Sequence, residues 1–267
     1  MNNFISDEQW SQYERDGYLK LGRVLPDDEL SALQQRIDDI MLGTADLDYS
    51  RIMMQLDSSD GAYEGAGEQS RGFKGATLNY RKIQDLELDP LFLDYMQRPI
   101  FGEICAHVYG DISIAGFRAM FMNKPAHHGT LLPWHQDRWS HLDIDPLITV
   151  WMALDPATIA NGCVQIIPGS HKLGVINPAH GSAFVTEEQA AQFAPAEQVV
   201  YLELEAGEVA LLHNWLLHRS DTNSSDIARR AFSVCYMNGS TQASNGEQYP
   251  RIFGEGALAA QAASAAP

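Results

Sequence analysis

The chain has 267 residues, 45% hydrophobic and 20% charged, an ordinary composition for a globular protein with a sizeable core. Eighteen lysines and arginines stand against 35 aspartates and glutamates, a formal charge of −17. That balance argues against a protein that tracks nucleic-acid phosphates, which needs a basic patch or stripe, and keeps the chain off anionic surfaces.

The opening "MNNFISDEQW" has neither a basic start nor an apolar run, so no secretory signal is read there. No apolar stretch approaches the roughly 20 residues that cross a bilayer, and the expected compartment is the cytoplasm. Ser6 and Gln9 have capping-box spacing and Gly17 stops the run, which predicts a first helix. A short strand, "YLKLGRV", follows. Pro26 and Asp27 then open a second helix with Leu30, Leu33, Ile37 and Ile40 on one stripe. Residues 42–72, rich in Gly, Ser and Asp and without periodicity, read as a long loop. Residues 90–109 return to helix, interrupted near Pro99.

From residue 111 the pattern changes to short β-branched and aromatic runs: "ISIAGFRAMFMN", "LITVWMAL", "CVQIIP", "QVVYLEL", "EVALLHNWLLH" and "RAFSVCYM". Turn signals separate them: Asn161-Gly162, read as a hairpin turn, Pro168-Gly169-Ser170, and Ala206-Gly207. Residues 186–194 are the exception, a short helix capped by Thr186. The tail over about 254–267 is small-residue and low-complexity and is expected to fray. Cys105, Cys163 and Cys235 sit apart in apolar runs without a CxxC, so they are expected to be reduced, buried and inert. The whole, 1–267, reads as one mostly β domain with N-terminal helices. A helical part over about 1–110 leads into a jelly-roll core over about 111–240, with helices packed on one sheet.

Two histidines in "LLPWHQDRWSHLDIDP" are each followed two positions later by an aspartate: His135 with Asp137 and His141 with Asp143. Side chains two apart on a strand point the same way, so either pair can offer a nitrogen and an oxygen to one ion. A histidine from another strand would complete the two-His-one-carboxylate set, which leaves positions open on Fe(II). With nine histidines in the chain about 0.7 of such pairs is expected by chance, so local sequence has to choose. His141 and Asp143 lie in a polar, Pro-ended segment that reads as a solvated loop. His135 and Asp137 follow a strand and a short turn, between Trp134 and Trp139 as dry walls. For the third ligand His213 and His218 are both available, and their opposite parity on a strand lets at most one face the ion.

The blocks "NKPAHHGTLLPWHQDRW", "VWMALDPATIANGCVQIIPGSHKLG" and "GEVALLHNWLLHRSDTNSSDIARRAFSVCYM" resemble the phytanoyl-CoA dioxygenase family of Fe(II)/2-oxoglutarate oxygenases, as does the earlier "DGYLKLGRVLPDDELSALQQRID". The resemblance spans roughly residues 10–240 and implies a double-stranded β-helix (jelly-roll, cupin-like) core. It implies His135, Asp137 and His218 as iron ligands, the last from the "LHRSDTN" portion, with His213 left as a core histidine. It implies Arg229, eleven residues after His218, as the anchor of the 2-oxoglutarate carboxylate, with Ser220 bonding the same group. Arg230, of opposite parity, is expected at the surface. Lys82, Met120, Asn123 and Trp151 match co-substrate-lining positions, and the "PGSH" of 168–171 is given a structural role.

The implied activity is hydroxylation of a C–H bond of a small-molecule substrate by dioxygen, coupled to conversion of 2-oxoglutarate to succinate and carbon dioxide. Related halogenases carry a small residue where Asp137 stands, so the aspartate implies hydroxylation. A metal-dependent cupin-type isomerase or hydrolase would use the same barrel without needing Arg229, and a non-catalytic ligand-binding relative is the other alternative. Arg51, Lys74, Arg81 and Arg138 stand near the long loop and the metal motif; lining the pocket, they would suit an anionic group on the substrate. The expected state is a monomer or homodimer that binds neither nucleic acid nor membrane.

Overall fold

A side-chain cap sets where the first helix of this protein begins. In the computed structural model, which describes residues 4–58, 60–110, 113–181 and 183–259, Ser6 accepts from the Gln9 backbone and Gln9 accepts in return from Ser6. That box starts α1 (Asp7–Asp16), and Gly17, at φ 78°, ends it. β1 (Tyr18–Arg23) leads to α2 (Asp27–Leu42), whose buried stripe is Leu30, Leu33, Ile37 and Ile40. The segment read as one long loop instead holds β2 (Met53–Leu56) and β3 (Ser70–Arg71). Ile52 and Met54 are wholly buried, so a short apolar alternation hides between its Gly and Ser residues. β4 (Tyr80–Gln84), α3 (Pro90–Met96) and α4 (Pro99–Tyr109) complete the first part, each of the two helices opening on a proline.

Nine strands follow: β5 (Ile114–Met122), β6 (Leu132–His135), β7 (Ile148–Ala153), β8 (Val164–Ile166), β9 (Val200–Leu202), β10 (Glu208–His213), β11 (His218–Ser220), β12 (Ala231–Asn238) and β13 (Arg251–Phe253). α5 (Glu187–Phe193), capped by Thr186, precedes β9. The large sheet runs β1-β10-β7-β12-β5-β4-β2-β3, with β13 also on β5, and the small sheet runs β6-β11-β8-β9; the pairings are antiparallel. The run "EVALLHNWLLH" is therefore two strands in different sheets, divided by a turn at Asn214 and Trp215. Asn161-Gly162 is a turn but not a hairpin, because β7 and β8 on either side belong to different sheets.

Both faces of the large sheet are covered, which is why β7 reads "ITVWMA" without a polar alternation. Val150, Met152, Val209, Leu211, Phe232 and Val234 pack under the N-terminal helices in one core. On the opposite face Trp151, Ala153, Ala210 and Ala231 meet Val164, Ile166 and Leu202 of the small sheet. The three cysteines are free and buried. The tail does not fray where it is described: Leu258 packs on the main core and its carbonyl accepts from Gln97. The expectation for 260–267 lies outside the described residues. Among the described residues no helix is long and apolar enough to cross a membrane.

Candidate active site

The space between the sheets opens into a cavity of about 250 Å³. From the small sheet β6 and β11 pair with His135 opposite His218, their ring centres 4.1 Å apart. The ligand atoms of His135, Asp137 and His218 lie within 4.8 Å of one another. The Nδ1 of His135 is 2.8 Å from the Pro133 carbonyl and that of His218 is 2.9 Å from the Leu216 carbonyl. A carbonyl only accepts, so each Nδ1 carries a proton, which leaves Nε2 as the nitrogen that can offer a lone pair to a metal. Burial, with His218 alongside, lowers His135 to about 3, so it is neutral at ordinary pH. Burial opposes ionisation of Asp137, but Arg118 with the two histidines and Lys82 hold its pKa below the usual carboxylate value. Arg118 Nη2 stands 3.6 Å from the Asp137 carboxylate, and its guanidinium lies over Trp139. Gln136, between the ligands, donates to the carbonyls of Gly174 and Trp215 and so ties neighbouring loops to this strand.

The other H-x-D pair is elsewhere. His141 reaches Tyr249 and Asp143 accepts from the Gln242 backbone, which clamps two loops together. His213 faces the N-terminal helix, with its ring centre 6.5 Å from that of Tyr13 and 4.9 Å from that of His171. Trp139 lines the cavity, but Trp134 has the parity opposite to His135 and packs outside with Ile167 and Leu217, so it is no wall of the site. Ser170 of the PGSH turn accepts from Leu217 and donates to Ile167, a structural seat.

Lys82, Met120, Asn123, Trp151, Ser220 and Arg229 all line the cavity. Trp151 is brought there by the inward parity of β7, and Arg229 lies over it at 5.6 Å. Arg229 is 4% exposed, its Nε has no partner, and burial lowers its pKa to about 10. Asn123 donates to the carbonyls of Leu78 and Tyr80, while its own carbonyl oxygen is buried without a partner. Burial first, then Arg81 and Arg118, lower Lys82 to about 7. Arg230 is not a surface residue. It lies on the helix-covered face, where it pairs with Asp155 at 2.6 Å and Asp38 at 2.5 Å.

Of the four basic residues proposed near the pocket, Arg81 and Arg138 line it. Arg51 is exposed, and the Lys74 ammonium is bound to Ser70 Oγ. Seven bases line the cavity (Arg81, Lys82, Arg118, Lys124, Arg138, Arg219 and Arg229) against one carboxylate among the described residues, Asp137. That is a reversal of the −17 carried by the whole chain. Arg118, Lys124 and Arg219 were missed by sequence reasoning, although Arg118 shares the strand parity of Met120. Above the ligands Phe184 lies 5.2 Å from the His135 ring and meets Tyr63 edge-on at 5.3 Å, so two loops roof the site.

The family model described as Phytanoyl-CoA dioxygenase (PhyH) matches residues 13–231. A "Probable phytanoyl-CoA dioxygenase" of Caenorhabditis elegans is 28% identical over 248 residues, 88% of this chain and 76% of its own. EctD from S. alaskensis in its apo form has a TM-score of 0.72 at 20% identity, over 93% of this chain and 82% of that one. SnoK, a non-heme α-ketoglutarate-dependent carbocyclase of nogalamycin biosynthesis, has a TM-score of 0.65 at 19% identity, over 91% and 88%. At these identities the two structures speak for the fold, the double-stranded β-helix.

Proposed function

Since this chain belongs to the phytanoyl-CoA dioxygenase family, we propose that it is an Fe(II)- and 2-oxoglutarate-dependent dioxygenase hydroxylating a C–H bond of a small-molecule substrate. The carrying observation is one cavity that holds the His135–Asp137–His218 cluster beside a buried arginine without an ion pair among the described residues. The donor set fits Fe(II), because two imidazole nitrogens and a carboxylate leave adjacent positions open. Arg229 fits a dicarboxylate, since a buried guanidinium with an unpartnered Nε calls for a planar, bidentate anion.

When bound, the metal supplies redox chemistry, in which dioxygen and 2-oxoglutarate are consumed and the substrate hydroxyl, succinate and carbon dioxide are formed. The chain's residues do the holding and shaping. The carbonyls of Pro133 and Leu216 fix the imidazole protons, so both Nε2 atoms are ready as donors. Arg118 keeps Asp137 ionised and oriented. Arg229 forks to the distal carboxylate, with Ser220 as a hydroxyl donor in the same wall. Trp151 and Met120 give that wall its shape, and Lys82 and Asn123 border the co-substrate. Tyr63 and Phe184 keep bulk water from the reacting centre.

The excess of cavity bases supports a substrate with an anionic group. We read the chain as one oxygenase domain, a monomer or homodimer acting in the cytoplasm without nucleic-acid or membrane partners.

The test is oxygen uptake. Iron-loaded protein with 2-oxoglutarate alone is expected to form succinate slowly, and faster with the right member of a metabolite panel. Flat oxygen traces across the panel would sink the reading. Alanine at His135, Asp137 or His218 is expected to strip the iron on metal analysis, whereas His141→Ala, Asp143→Ala and His213→Ala keep it; the reverse pattern would mean another ligand set.

A further inference from the structure

Arg229 has a partner in this reading, but a second buried guanidinium in the same cavity does not. Along β4, Gln55 of β2 faces Lys82 while Leu56 faces Tyr80, which leaves Arg81 as the extra residue of a bulge. A bulge re-aims a side chain, and such irregularities gather beside active sites. Here the effect is visible: Ile83, two residues on, lies in the core under the helices, whereas Arg81 turns into the cavity. Its Nη1 donates to Gln55 Oε1 at 2.9 Å, and the guanidinium lies 4.9 Å from the Tyr63 ring centre.

So placed, Arg81 is 7% exposed and forms no ion pair with a described residue. A carboxylate that influences it, Asp57, accepts from Thr130 and the Ser58 backbone through one oxygen, while its other oxygen is buried without a partner, and it forms no ion pair with Arg81. Burying a guanidinium without an ion pair is costly, and a dicarboxylate held at Arg229 leaves Arg81 as it is.

We propose that Arg81 anchors an anionic group of the primary substrate (a carboxylate, phosphate, phosphonate or sulfonate) at a station separate from Arg229. The proposal rests on the oxygenase reading, because it takes Arg229 to be occupied by 2-oxoglutarate. The planar fork of Arg81 suits an oxyanion with two free oxygens, and Gln55 fixes its orientation before the ligand arrives. Tyr63 links this seat to the roof, since it stacks on Arg81 and meets Phe184.

The test is calorimetric titration of zinc-loaded protein, saturated with 2-oxoglutarate, with acetate, inorganic phosphate, methylphosphonate and methanesulfonate. At least one probe is expected to bind with Kd of about 10 mM or tighter, and which one binds identifies the anion class. Arg81→Gln should weaken that probe by about tenfold or more while moving 2-oxoglutarate affinity less than about threefold. Arg229→Gln should do the opposite. Arg81→Lys keeps the charge without the fork, so it should fall between wild type and Arg81→Gln; it carries the comparison alone should Arg81→Gln not fold. No probe binding to the wild-type complex, or equal binding to wild type and variant, would overturn the proposal. So would loss of 2-oxoglutarate in Arg81→Gln but not in Arg229→Gln, which would make Arg81 the co-substrate's anchor. Failure of 2-oxoglutarate to bind the wild-type protein at all would instead remove the oxygenase reading beneath it.

Discussion

Arg229 and Arg230 are neighbours in sequence, and strand parity points them to opposite faces of the large sheet. Arg229 enters the cavity unpaired. Arg230 donates to Asp155 through Nε and Nη2 and to Asp38 of α2 through Nη1; burial opposes its charge, but the two carboxylates raise its pKa above the ordinary value. Alanine should therefore separate two effects. Arg229→Ala is expected to weaken 2-oxoglutarate about a hundredfold with little change in melting temperature. Arg230→Ala is expected to cost about 3 kcal/mol of stability, by stranding Asp155 and untying α2, with a much smaller change in affinity. Calorimetry and urea unfolding on both variants check this, and equal losses of affinity would contradict the drawn pocket. At this scale the pairing of His135 with Asp137 was within reach of sequence, because H-x-D spacing and local polarity favoured that pair. The choice between His213 and His218 was not; the parity argument took them for one strand, whereas they lie on β10 and β11 in different sheets. The bulge that turns Arg81 inward reverses ordinary alternation, so no period in the sequence announces it.

Alternation along β12 assigns its residues to two different duties. Phe232 is wholly buried under the helices against Phe92 and Tyr95, whereas Ser233 faces the cavity between Met120 and Trp151 of the flanking strands. Phe232→Ala is expected to lose about 3–5 kcal/mol, from lost burial and the cavity left behind. Ser233→Ala should cost less than about 1 kcal/mol, so its effect should show in ligand affinity. Urea midpoints for the two variants test this, and similar losses would mean the strand's faces are misassigned. The strands that carry the core were plain in sequence because both their faces are apolar and their composition is β-rich. β2 and β6 were not read as strands, being only four residues each, β2 lying between Ser50 and Ser58 and β6 containing Pro133. The split of "EVALLHNWLLH" escaped because Asn214 is a lone turn former, with no Gly or Pro beside it, inside an apolar run. Asn214 turns there through tertiary bonds, donating to Pro146 and accepting from Thr149, which no local pattern shows.

For the molecule as a whole, His213 and His171 sit at the joint between α1 and the barrel. Burial, with His171 beside it, lowers His213 from 6.5 to about 4, and its Nδ1 accepts from the Trp215 backbone, a bond that a protonated ring cannot make. Because the folded value lies below the unfolded one, this contribution is fully present above pH 6.5 and is lost as the pH falls toward 4. Melting temperatures of metal-free protein should drop through that window, and His213→Gln should flatten the drop. An unchanged slope would place the acid sensitivity elsewhere. A different consequence follows from the charge distribution. The protein carries −17 overall, while among the described residues its cavity is lined by seven bases and one acid. At physiological ionic strength the field of a charge dies over about 8 Å, so an approaching anion feels the acidic exterior before the basic interior. Such a cavity would not steer an anion from afar; capture would be a short-range event at the mouth. Salt would then hasten arrival by hiding the exterior and loosen the hold by competing inside. For an anionic ligand, the speed of filling and the tightness of retention would be governed by opposite charges in different places, and ionic strength would move them in opposite directions.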